Sequence, residues 1–102
     1  MAQTLTKWQT LEVVFADHDE LERVFDKLIA GKLSEQRLLL NRYDRDLAEF
    51  EQRHNMDSQD FYTRFEAGGL GDDMDFFEWS GLWELRQRLA DQISQIEQSL
   101  DL

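Results

Sequence analysis

Carboxylates are the residues whose spacing first suggests chemistry: Asp72, Asp73, Asp75, Glu78 and Glu84 crowd one short stretch. Counted from Asp73, Asp75 takes the third position and Glu84 the twelfth position of a calcium loop. Phe77, however, stands at the fifth, where a ligand is needed, and Glu78 at the sixth, where glycine must make the turn. No metal is therefore expected. His18 and His54 lie far apart, with no cysteine in the chain and no acid at ligand spacing. No serine or threonine sits in a glycine-rich elbow, and the cluster Gly68, Gly69, Leu70, Gly71 runs into acids that would repel phosphate. An acid with a raised pKa needs an apolar pocket, and a chain of 102 residues has little material for one beside its core. Catalysis is not expected, and no cofactor is implied.

The same residues suit recognition of a partner. From Asp57 to Glu84 eight acids are accompanied by one base, Arg64, and seven aromatics share that span. Asp57, Asp60, Asp72, Asp73 and Glu84 could pair with lysines and arginines of a basic protein. Phe61, Tyr62, Phe76, Phe77, Trp79 and Trp83 could fill apolar ground around them. Phe76, Trp83 and Ala90 fall on a different helix face from Trp79, Leu82 and Leu89. Either a partner covers the second face, with Trp83 as its anchor, or one thicker core takes both. Helix capping and dipole effects account for Asp75 and Glu78 just as well.

The pattern that must position these residues is helical. Asp17 and Glu20 have capping-box spacing, and Leu21, Val24, Phe25, Leu28 and Ile29 recur at helical intervals, predicting an amphipathic helix that ends near Gly31. A second helix is expected from about Ser34 to His54, where Leu33, Leu40, Tyr43, Leu47 and Phe50 hold alternating heptad positions. Asn55 suits a left-handed cap, and Asp57 or Ser58 can cap a short helix carrying Phe61, Tyr62 and Phe65 that the Gly68–Gly69 pair ends. A last helix opens at Asp75 and Glu78, with Trp79, Leu82, Leu85, Leu89, Ile93, Ile96 and Leu100 as its stripe, and folds back on the second. Only Trp8 to Phe15 alternates with period two, which reads either as a short N-terminal strand pairing with a second copy or as helix. The fold expected is all-α: a small helical bundle or hairpin with long antiparallel helices, divided into residues 1–32, an N-terminal extension, and 33–102, a hairpin with an acidic-aromatic turn.

Charge narrows the partners. The formal net charge is -11, with residues 54–102 holding 3 bases against 11 acids. Affinity for nucleic acid rests on lysine and arginine displacing counterions, so direct nucleic-acid binding is not expected. A cationic protein surface would be attracted instead. No run approaches the roughly 20 apolar residues of a membrane span, and the first residues lack the character of an export signal, so the cytoplasm is the expected location.

Phe50 and Glu51, Met56 and Ser58, Phe61 and Tyr62, Phe65 and Glu66, then Gly68, Gly71 with Asp72 and Asp73, and the box Asp75, Phe76, Phe77, Glu78, Trp79, Ser80 follow one another in a fixed order. In that order and spacing the chain resembles the TumA-like antitoxins, small bacterial proteins found beside TumE-type toxins. The likeness extends over roughly residues 33–102. The resemblance implies an antitoxin that binds and blocks a small basic toxin, of ribonuclease type, and is itself removed by proteolysis. Residues 1–32 depart from that pattern and would be an added dimerisation or operator-binding element. The alternative from another class is a non-catalytic helical dimer that recruits partners as a structural adaptor.

Overall fold

The computed structural model describes residues 4–15 and 17–100, which form four helices: α1 (Lys7–Val14), α2 (His18–His54), α3 (Ser58–Glu66) and α4 (Met74–Leu100). The architecture is all-α, with the two longest helices packed together as an antiparallel hairpin. Three ion pairs record its register: Arg37 with Glu97 at 3.7 Å, Asp44 with Arg86 at 2.9 Å, and Arg53 with Asp75 at 2.7 Å. Among the described residues no helix is long and apolar enough to cross a membrane.

Of the two readings open for Trp8 to Phe15, strand or helix, the structure takes the helix: the stretch lies in α1, with Phe15 as its C-cap. Among the described residues there is no strand for it to pair with, so its backbone groups find partners only within a helix. Thr6 and Gln9 start that helix with a reciprocal capping box. The expected break near Gly31 is also missing, and α2 is one helix of 37 residues. A glycine inside a helix costs about 1 kcal/mol relative to alanine, too little to interrupt turns that are well formed on both sides. Among the described residues the two with positive φ lie further on: Asn55 (φ 50) caps α2, and Gly68 (φ 75) follows α3.

Two apolar clusters fasten the hairpin. Towards its open end Leu33, Leu89 and Ile93 are buried, with Leu40, Tyr43, Ile96 and Leu100 packed on them. At the closed end Leu47, Phe61 and Trp79 are buried beneath α3. Leu85, expected in the α4 stripe, is exposed at its edge. Because Leu100 packs beside Leu33, residues 18–32 of α2 run past the end of α4 by about 22 Å at 1.5 Å per residue. The molecule measures 64 × 31 × 19 Å as a result.

Candidate functional site

The candidate site lies at the closed end, where α2 ends, α3 crosses and α4 begins. Its floor is a column of rings. Trp79 stacks on Phe61 with centroids 3.8 Å apart, on His54 at 5.5 Å and on Phe50 at 5.7 Å. A buried indole needs an acceptor for its N–H, and Trp79 Nε1 donates to the equally buried Ser58 Oγ at 2.9 Å. Ser58 N in turn donates to Glu51 Oε2 at 2.8 Å. The side chain of Asp57 accepts from the amides of Gln59 and Asp60, starting α3 and fixing the position of Phe61.

A polar clasp closes the end of the hairpin. Asp75 Oδ2 accepts from Arg53 Nη1 at 2.7 Å and lies 2.9 Å from His54 Nε2. The Arg53 hydrogen bond, and after it the one with His54, holds the Asp75 carboxyl below the ordinary carboxylate value. Asp75 was expected to open α4 by capping. Asp73 does so instead, its Oδ1 accepting from Asp75 N at 2.9 Å, which frees the Asp75 carboxylate for the clasp. Nearby, Tyr62 Oη donates to Glu84 Oε1 at 2.6 Å, and that bond raises the phenol well above its usual value.

The eleven candidate binding residues thus divide by position. Phe61 and Trp79 are fully buried and form the floor on which the surface is built. Phe76 and Trp83 do not form a separate outer face. Both pack against the Leu47–Phe61–Trp79 cluster, so the thicker single core is what the chain builds, and each keeps a partly exposed edge. Tyr62 is similarly half-buried, whereas Phe77 is 55% exposed and stands edge-on to Phe65 at 5.8 Å. Asp57, Asp60, Asp72, Asp73 and Glu84 are all exposed. Asp60 pairs with Arg64, and among the described residues the side chains of Asp72 and Glu78 have no hydrogen-bond or ion-pair partner.

Met74 was not among those candidates, yet at 72% exposed it is the most open large apolar side chain in this region. The outer surface therefore carries Met74 and Phe77 among carboxylates, a patch able to take an apolar anchor and cationic side chains together. Among the described residues no three His, Cys, Asp or Glu side chains gather to hold a metal. Sequence reasoning also missed His54 and Arg53 as site residues. Their signal was position, since the last turn of a helix capped by Asn55 must face whatever begins the returning helix. Comparison with protein-family models, curated proteins and solved structures found no match.

Proposed function

We propose that the chain is the antitoxin of a type II toxin–antitoxin system. It is a cytoplasmic homodimer that neutralises a small basic toxin of ribonuclease type by direct binding, without catalysis and without contacting nucleic acid on its own. One observation carries this reading: a rigid aromatic floor supports an exposed Met74–Phe77 patch among unpaired and solvent-facing acids. Such a surface combines the apolar centre and charged rim of protein interfaces. Carboxylates at the rim speed encounter with a cationic partner, while Phe77 and the open edge of Trp83 supply the desolvated anchor.

The test is co-expression of the chain with the product of its neighbouring gene, followed by pull-down and a growth assay of that product alone. A small basic protein that arrests growth and is rescued in a stoichiometric complex supports the reading. A neighbour that is harmless, or one that arrests growth without being bound or rescued, removes it and favours the helical adaptor.

A further inference from the structure

The N-terminal arm, residues 4–32, carries five of the ten large apolar side chains that are exposed among the described residues. Here α1 folds back on the α2 overhang, with Trp8 and Phe25 ring centroids 5.0 Å apart. Among the described residues of the arm only Leu21 is buried, and α1 has no buried residue at all. Trp8, Val13, Val14 and Leu28 are each more than three-fifths exposed. A helix of 8 residues is well below the length at which helices hold in water unaided. A separate domain below roughly 40 residues usually needs disulfides, metals or association, and the arm, though continuous with α2, buries almost none of its own surface. The chain has no cysteine, and among the described residues no metal-holding cluster.

We infer that the arm is the homodimer interface, its occupant being the arm of a second copy, so that two α1 helices and two α2 overhangs close into one four-helix unit. The inference rests on the homodimer in the function proposed above, and not on the toxin. Charge selects this end of the molecule for a contact between two copies. Residues 1–32 hold four bases against six acids, whereas residues 33–102 hold seven against sixteen. Two copies meeting side by side along their hairpins would set one strongly acidic surface against another. Meeting through their arms, they join at the end where repulsion is weakest and point the acidic sites away from each other. A basic partner is drawn by the same field to the opposite end. A standard interface uses roughly 20–30 residues a side, which is the size of the arm, and an isologous two-fold contact closes without leaving a free patch.

Light scattering coupled to gel filtration, on the full chain alone, tests this. The expected mass is twice 12.2 kDa, falling to the single-chain mass in a Val14→Glu, Leu28→Glu double variant with helical circular dichroism retained, and staying doubled in Phe77→Glu. Hydrogen exchange of the unmodified chain supplies a reading that needs no variant: arm amides should gain protection as protein concentration rises, and closed-end amides should not. A single-chain mass for the unmodified protein overturns both the homodimer and its interface, including the case in which the arm becomes protected only when a basic partner is added. A dimer that survives the double variant, or one broken by Phe77→Glu, overturns the interface alone. Neither result bears on whether the chain neutralises a toxin.

Discussion

Trp79 lies flat against Phe61, ring centroids 3.8 Å apart and planes 2° from parallel, with neither side chain exposed. This pair joins α3 to α4, and through Phe50 and His54 it joins both to α2. Removing the indole in Trp79→Ala should destabilise the protein by about 3–5 kcal/mol, the range for large aromatic truncations in a core. Ser58→Ala leaves the ring in place but its N–H buried without an acceptor, so about 1–3 kcal/mol is expected. Urea unfolding followed by circular dichroism measures both. Equal, small losses would mean that the ring column is peripheral to the fold.

The Arg53–Asp75–His54 clasp should appear as acid sensitivity. The folded Asp75 carboxyl titrates below its ordinary value of 3.8, so the sign is that of a depressed group. Its contribution is complete above that ordinary value and is lost as pH falls through the lower, folded one. Asp75→Asn should therefore lower the melting temperature at neutral pH and flatten the acid limb below 3.8, the two proteins converging at the lowest pH. Parallel limbs in thermal melts across that range would show that the clasp adds nothing to stability.

The helices at the closed end were legible because local signals agreed there. Asp57 before α3, Asn55 after α2 and Gly68 after α3 each sit where a cap or left-handed residue was expected. Trp8 to Phe15 stayed ambiguous because β-branched and aromatic residues at period two describe side chains, not partners; among the described residues the backbone partners at hand are local. Gly31 misled because a weak helix former in the middle of a long helix is outvoted by its neighbours. The division of the site was legible only in part. Composition located the aromatics and acids together, but which rings lie under the surface depends on how α3 crosses the hairpin. That crossing buried Phe61 and Trp79 while leaving Phe77 and Met74 outside.

Tyr62 should govern the alkaline side. Its hydroxyl donates to Glu84, and the neighbouring carboxylate raises the phenol pKa from the ordinary 10.0. For a raised group the contribution is complete below the ordinary value and is lost as pH climbs through the folded one. The unmodified protein should lose stability with rising pH above 10.0, and Tyr62→Phe should have a shallower alkaline limb. Glu84→Gln should bring one phenol back towards its ordinary range in an absorbance titration. An unchanged titration curve would place the Tyr62–Glu84 bond outside the solution structure.

The proposed recognition surface predicts different outcomes for apolar and charged changes. Trp83→Ala with Asp72→Asn should release toxin activity while preserving the helical circular dichroism, though part of the Trp83 effect will be lost packing because the ring also lines the core. Met74→Ala with Phe77→Ala avoids that complication, since both side chains are largely exposed. It should weaken the complex mainly through faster dissociation, by roughly tenfold for each 1.4 kcal/mol of anchor energy removed. Asp72→Asn with Glu78→Gln removes two exposed acids whose side chains have no partner among the described residues, so it should chiefly slow association and reduce the dependence of the association rate on salt. Surface plasmon resonance against the co-purified toxin at several ionic strengths separates the two. Full neutralisation by both variants, with unaltered rates, would move the interface away from the closed end.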